Sequence, residues 1–245
     1  MAGYNEHGVW SPAPEDYDSV WEAFEHRYVY KKITNIAISA IIVILGVSSF
    51  CFGWQIEPSI TIFRYMTVDG TMFTTAGAAV FIIANMVELL RHTELTWPSV
   101  YYIRLSAAVA ESVIVIVVVF SQLPFFSEHL PVTDRYDSFV MHVLVPVLGI
   151  TSFLVNDPPI GKLTSAQLWR GTWFVTVYAA IILSFIGSER LPSELIPYFF
   201  LDFRNNHWSV LVCAFVFVYA SAYLMAGRLS EWNRRLSWLW FKDIA

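Results

Sequence analysis

Side chains that could do chemistry are few inside the long apolar stretches of this sequence. Ionisable residues in such stretches are costly, so each one is a candidate functional residue. They are Arg64, Asp69, Glu88, Arg104, Glu111 and His142. A polar or small row precedes the central acid along the chain: Thr67, Thr71, Thr74, Ala78 and Asn85. The histidine suits the role of a neutral base, and the polar row suits tight helix packing or a polar path for a ligand.

The polar row has helical spacing, so its members share one face of a helix. Small and hydroxyl residues also favour close helix packing, so the row predicts either a packing face or a cavity wall. On the next apolar stretch, Arg104, Ala108 and Glu111 share a face and indicate a buried network or a polar cavity. Glu88 and Arg104 lie near the ends of apolar stretches, where we expect their charges to snorkel towards water.

His142 lies close to the start of a further apolar stretch. Asp137 or Ser138 is a good N-cap for a helix that begins there. Pro146 follows four residues later and has no N–H to donate to the His142 carbonyl, so we expect a distortion of the helix at this point. The residue is interpreted either as a base or as a structural histidine.

The elements that must position these groups are membrane-spanning helices. The chain has 245 residues, of which 56% are hydrophobic and 14% charged, whereas soluble domains carry about 25% charge. Six stretches approach or exceed the span length of about 20 residues, and in lipid they must be helical. They are 33–54, 63–90, 102–120, 139–155, 168–187 and 208–227. We therefore predict an all-α integral membrane protein, a bundle of six transmembrane helices.

Two flanking segments complete the predicted organisation. Residues 1–32 form an acidic cytoplasmic segment, in which Ser19 and Glu22 make a capping-box pattern that predicts a short interfacial helix. Residues 33–227 form the transmembrane domain. Residues 228–245 mix arginine and tryptophan, which is typical of a cytoplasmic interfacial tail.

Lysine and arginine distribution predicts the orientation. Eleven of these residues fall on the side of both termini and four on the other, so both termini are expected in the cytoplasm. Thr67 and His142 then lie at the same depth, each about 5–6 Å below the outer boundary. The loop before the last span, which carries Tyr198, Asp202 and Asn205, is on that side too. We therefore expect a site near the outer leaflet.

Several other classes of site are disfavoured. Cys51 and Cys213 both lie in apolar runs and are expected to be buried, inert thiols. No histidine pair has the spacing of four residues typical of a helical metal site, and His129, His142 and His207 would have to meet through folding alone. A net charge of −5 without a basic block disfavours nucleic acid as a partner. We predict neither a metal nor another cofactor.

Three short motifs give the chain a family resemblance. Span 2 begins with Phe63, Arg64, Tyr65 and Thr67; span 4 has His142 followed by Pro146; and Tyr198, Phe200, Leu201 and Asp202 precede the last span. In their order and spacing these residues resemble the androgen-induced-gene family, which includes the androgen-dependent regulator of tissue factor pathway inhibitor. The chain looks most similar to the family's six-span bacterial members, which implies a bacterial cell membrane.

The resemblance implies a function. Eukaryotic members are membrane hydrolases of fatty acid esters of hydroxy fatty acids that use a threonine nucleophile and a histidine. Carried over, these roles fall on Thr67 and His142. The chain departs from the family pattern at Phe199, where the family has proline, and at Val68, Asp69 and Gly70, where it has polar residues. These departures concern the substrate more than the Thr–His pair.

Two main hypotheses follow, besides a purely structural partner protein. The first is an intramembrane lipid esterase in which His142 takes the Thr67 proton and Asp202, or else Glu111, orients His142. The oxyanion donor is expected to be Arg64 or Asn205. Thr71, Thr74, Glu111 and Tyr198 are the further substrate-binding candidates. The second hypothesis is a protein that binds or transports a lipid or small molecule without chemistry.

Overall fold

The structure is a computed structural model, and it describes residues 3–4, 10–11, 17–91, 97–117 and 136–237, with side chains from residue 25 onward except those of Glu194 and Phe199. Predictions for residues 118–120 of span 3, for His129 and for residues 238–245 of the tail lie outside the described residues. So does most of the predicted acidic segment before residue 17.

Helices account for nearly all of the described chain. A short antiparallel pair, β1 (Gly3–Tyr4) and β2 (Trp10–Ser11), precedes them. The helices are α1 (Tyr17–Ile56), α2 (Met66–Arg91), α3 (Pro98–Val117), α4 (Tyr136–Asn156), α5 (Ser165–Arg170), α6 (Trp173–Gly187) and α7 (Trp208–Leu236). Three 3₁₀ turns lie between them, at Ile60–Arg64, Ser193–Leu195 and Phe199–Leu201.

The predicted fold class is confirmed, because five of these helices are long and apolar enough to cross a membrane and α6 is a shorter apolar helix. The fifth predicted span is interrupted: the chain turns at Gly171 and Thr172 and separates α5 from α6. The helix expected at the N-terminal interface is not separate, since α1 runs without a break from Tyr17 into the first span.

Local sequence explains where the helices end. Pro58 follows α1 and Pro158 follows α4, and the residue before a proline disfavours helical backbone. The distortion expected near His142 is present as a π turn over Val140–Leu144, which ends two residues before Pro146. A π turn uses longer hydrogen-bonded rings, which changes the phase of the helix around the position where proline lacks an N–H.

Helix α3 lies at the centre of the bundle. It contacts α2, α4, α6 and α7, and 72% of its apolar stretch is buried, against 11% for α7. The main apolar cluster joins Leu105, Val109 and Val113 of α3 to Phe153 of α4 and Ala222 of α7. Helices α1 and α2 pack on the other side of the bundle.

Two predictions about individual side chains are wrong. Glu88 and Arg104 do not snorkel: they are only 5% and 2% exposed because each finds an oppositely charged partner inside the bundle. The free thiols of Cys51 and Cys213 are exposed rather than buried. Both lie on faces of α1 and α7 that the other described residues leave uncovered, and in a membrane such faces contact lipid.

Candidate functional site

A cavity of about 60 Å³ lies between α2, α3, α6 and α7. Both α6 and α7 belong to the cluster packed around α3, and the cavity occupies the space between their side chains. Its walls are mostly apolar. The lining residues from the helices are Met66, Thr67, Ile114, Val117, Val175, Tyr178, Ala179, Ile182, Ala214, Phe215, Val218 and Tyr219, and the loop before α7 adds Tyr198, Phe200 and Leu201.

The polar end of this cavity is built around the beginning of α2. Tyr65 is extended and Met66 starts the helix, so the first N–H groups of α2 have no partner within the helix. The phenol of Tyr178 on α6 donates a hydrogen bond to the carbonyl of Arg64 at 2.6 Å. The backbone of Met66 hydrogen-bonds the phenols of both Tyr178 and Tyr198. Two tyrosines therefore anchor the start of α2 at the cavity.

Two of the predicted site residues, Thr67 and Tyr198, are in contact. The Thr67 hydroxyl hydrogen-bonds the Tyr198 phenol, and both side chains line the cavity. Burial raises the pKa of Tyr198 to about 12, although the hydrogen bonds from Thr67 and Met66 act in the opposite direction. The phenol therefore keeps its proton at neutral pH and can donate it to an acceptor.

Thr67 and His142, the predicted catalytic pair, are not hydrogen-bonded to each other, although they lie on elements that pack together. Their neighbours Val68 and Met141 pack in one apolar cluster, so the structure brings the start of α2 to the π turn of α4. The hydrogen bonds of His142 go instead to Ser138, and His142 does not line the cavity.

The orienting group of His142 is one that sequence reasoning missed. Its Nδ1 lies 2.8 Å from the carbonyl oxygen of Ser138. A carbonyl can only accept, so this contact places a proton on Nδ1 and leaves the Nε2 lone pair available as a base. The signal was present in the sequence as a spacing of four residues in a helix, but a backbone acceptor has no residue type to recognise.

Asp202, the predicted orienting acid, forms hydrogen bonds within its own loop instead. Its Oδ2 accepts a hydrogen bond from Asn205 at 2.7 Å, and its carbonyl accepts the backbone N–H of Asn206 at 2.9 Å. Arg204 Nε lies 4.0 Å from Oδ1. These contacts stabilise the turn that follows Tyr198 and place no atom of Asp202 in hydrogen-bond contact with His142.

The two predicted oxyanion donors are also engaged elsewhere. Arg64 donates to Glu57 at 2.9 Å and to the phenol of Tyr65 at 2.8 Å. Asn205 donates to Asp202 and to Ser193. Neither lines the cavity. The polar groups that do line it are the Thr67 hydroxyl and the phenols of Tyr178, Tyr198 and Tyr219.

The predicted polar row of α2 faces the bundle interior, with Thr67, Thr71, Thr74, Ala78 and Asn85 all buried. Thr74 donates to Glu111 at 2.8 Å, so α2 and α3 are joined by a buried hydroxyl–carboxyl contact. Thr71 lies between Thr67 and Thr74 along the row. Arg104 and Glu111 share a face but not a partner, since Arg104 turns to α4.

A buried polar network lies at the end of the bundle opposite the cavity. The sequence did not predict which of its residues pair with one another. Lys32 of α1 forms an ion pair with Glu88 of α2. Arg104 donates to both carboxylate oxygens of Asp157 at 3.1 and 3.2 Å and to Ser152 at 2.8 Å. A second cavity of about 30 Å³ lies beside these groups. The partners are far apart in sequence and no periodic pattern connects them.

Within the described ranges, no group of three histidine, cysteine or acidic side chains is arranged to hold a metal ion. Comparison with protein-family models, with curated proteins and with solved structures finds no match to this chain.

Proposed function

We propose that this protein binds a membrane lipid, with an acyl chain in the cavity between α6 and α7 and the ester or carboxyl group at Thr67. The observation that carries the proposal is the composition of the cavity, which is apolar along the helices and polar at one end. Ligand sites of this kind combine an apolar lining with a few convergent polar groups. The Thr67 hydroxyl and the Tyr198 phenol are the polar groups here.

The size of the cavity adds a requirement. About 60 Å³ holds only a small part of an acyl chain, so binding requires α6 and α7 to move apart. The wall that α7 contributes is only partly buried, at Ala214, Phe215, Val218 and Tyr219. Entry of a chain between the two helices from the side is consistent with this exposure.

Two alanines on α6 provide a matched test. Ala179 lines the cavity, whereas its neighbour Ala180 is exposed on the outer face. In purified protein in nanodiscs, we expect Ala179→Phe to fill the cavity and weaken saturable binding of a fluorescent fatty acid ester at least tenfold. Ala180→Phe should bind as the wild type does. Equal binding by the two variants would exclude the cavity as the site.

A second candidate function is hydrolysis of the bound ester, which the proton arrangement at His142 favours. In this reaction the Thr67 oxygen attacks the ester carbonyl and its proton passes to Nε2 of His142. That proton then leaves with the departing alcohol, and water hydrolyses the acyl-threonine. His142 would have to approach Thr67, directly or through a water molecule, when the substrate is bound. The family resemblance supports the same two roles.

Hydrolysis is separable from binding. We expect Thr67→Val and His142→Gln to abolish release of fatty acid from a lipid-ester probe while ligand affinity changes only a few-fold. If the wild type binds the lipid ester but does not hydrolyse it, only the binding function stands. Hydrolysis that survives in both variants would exclude this pair.

We further propose a bacterial cell membrane as the location, with both termini in the cytoplasm and Thr67 near the outer leaflet. The bias of basic residues supports this orientation. The exposed Arg190 and Lys162 lie in loops predicted on opposite sides. In a chain without its native cysteines, Arg190→Cys should react with an impermeant maleimide in intact cells and Lys162→Cys only after permeabilisation. The reverse pattern would overturn the orientation.

A further inference from the structure

Glu111 is an acid in the middle of α3 that the proposed lipid site does not use. Its side chain is 0% exposed. Oε1 accepts a hydrogen bond from Thr74 at 2.8 Å, while Oε2 has no hydrogen-bond partner among the described residues. The acid is therefore enclosed by the bundle, with one oxygen satisfied and one left open.

No cation compensates this carboxyl in the described part of the chain. Arg104 is on the same helix but is held by Ser152 of α4 and by Asp157, the residue after α4. Lys32 is paired with Glu88 at the far end of α2. Of the other titratable groups on helices that pack against α3, Asp69 lies at the beginning of α2 and His142 is bonded to Ser138. A buried carboxylate without a cation is strongly disfavoured and takes up a proton instead.

The threonines of α2 form a row on one helix face that leads from the cavity to the partner of Glu111. Thr67 lines the cavity, and Thr71 follows one turn later on the same face of α2. Thr71 is 0% exposed, and its Oγ1 has no hydrogen-bond partner among the described residues. Ile114, one turn along α3 from Glu111, lines the cavity. Along α2, Thr71 therefore lies between Thr67, which lines the cavity, and Thr74, which bonds Glu111.

We propose that Glu111 is a proton-binding site within the membrane, a neutral carboxylic acid that exchanges its proton with water in the cavity by way of Thr71. Binding converts a carboxylate and a proton into an acid with no other bond made or broken. The Thr71 hydroxyl, which can both donate and accept, relays the proton between cavity water and the acid. This site is independent of whether the cavity binds a lipid.

Infrared spectroscopy of the purified protein in nanodiscs at neutral pH tests the proposal. We expect a carbonyl stretch of a protonated acid that Glu111→Gln removes. Transfer to D₂O should shift this band within minutes in the wild type and at least tenfold more slowly in Thr71→Val. Thr75→Val is the matched control, because the Thr75 hydroxyl donates to the Thr71 carbonyl rather than towards α3, and it should exchange at the wild-type rate.

The assignment does not depend on one variant. Thr74→Val removes the hydrogen bond to Oε1 and should raise the frequency of the same band, which identifies it if Glu111→Gln does not fold. Absence of a band sensitive to either variant would mean a charged carboxylate, held for example by a sodium ion, and would overturn the proposal. A band that does not exchange, or that exchanges equally fast in Thr71→Val, would also overturn it.

Discussion

The two ends of the bundle treat buried polar groups differently. At the end that carries Lys32, Glu88, Arg104 and Asp157, charges from α1, α2, α3 and the residue after α4 satisfy one another in pairs. At the Thr67 end, hydroxyl groups face a cavity with apolar walls. Charged groups that satisfy one another hold helices in place, whereas the Thr67 hydroxyl and the Tyr198 phenol, although bonded to each other, line a cavity that a ligand can enter. The comparison separates polar residues that stabilise the bundle from those that would bind.

The largest expected effect is on stability, at the charged end. Arg104→Met leaves Asp157 buried without its cation, which should lower the free energy of unfolding by about 3–5 kcal/mol. Arg234→Met is the control, because it breaks a more exposed pair with Glu231 that contributes at most about 1 kcal/mol. Denaturant titration in detergent measures both. Equal losses would contradict the assigned role of the buried pair.

The pair of Lys32 and Glu88 allows a rescue experiment. Lys32→Met alone leaves the Glu88 carboxylate buried without its partner. The free energy of unfolding should fall by about 3–5 kcal/mol, the usual loss when one partner of a buried pair is removed. The double variant Lys32→Met/Glu88→Leu should recover most of this loss, since an apolar pair of similar volume is often neutral. Thermal unfolding of the single and double variants measures the loss and the recovery of stability. A double variant as unstable as the single one would show that the pair itself is required.

At the Thr67 end we expect a change in binding with little change in stability. A Cβ on Gly70 would lie 2.5 Å from Cδ1 of Ile114, so Gly70→Ala should push Ile114 into the cavity. Ligand affinity should fall about tenfold, equivalent to about 1.4 kcal/mol. Adding Ile114→Val, which removes the Cδ1 methyl group, should restore the ligand affinity.

Gly77→Ala is the control for this experiment, because its Cβ would meet Ile103 at an ordinary distance of 3.5 Å. Binding should be unchanged in that variant. Loss of affinity in Gly77→Ala, or no rescue by Ile114→Val, would place the ligand elsewhere.

The smallest effect is expected at the Tyr198 phenol. Tyr198→Phe removes one hydrogen-bond donor and keeps the ring, so affinity for the lipid ester should fall roughly two- to tenfold, the equivalent of about 0.5–1.5 kcal/mol. Isothermal titration of a fatty acid ester measures the change. Unaltered affinity would mean that the ester group does not reach this end of the cavity.

Much of the fold follows from periodicity and composition alone. The apolar stretches predicted the spans, and the polar row of α2 predicted which face is buried, because both depend on local spacing. The π turn was foreseeable as a distortion from Pro146. The break at Gly171 was not, because an apolar run does not reveal a turn inside it.

The site was harder to predict than the fold. Thr67 and Tyr198 were singled out and do meet, but the contact of His142 with the Ser138 carbonyl involves a backbone atom that no residue type marks. Arg104 and Asp157 are far apart in the chain, so their pairing depends on helix packing. Hydrogen-bond partners are set by three-dimensional packing, and local spacing reports only the face on which a residue lies.

The most direct test of the account is to find where an acyl chain lies. A fatty acid ester with a diazirine in its chain, added to the protein in nanodiscs and irradiated, labels the side chains it touches, and peptide mass spectrometry locates them. We expect labels on Ile182, Phe215 and Tyr219 of the cavity, lost on competition with unlabelled ester. Labels confined to the outward residues Val177, Ile181 and Phe185, insensitive to competitor, would contradict the central claim.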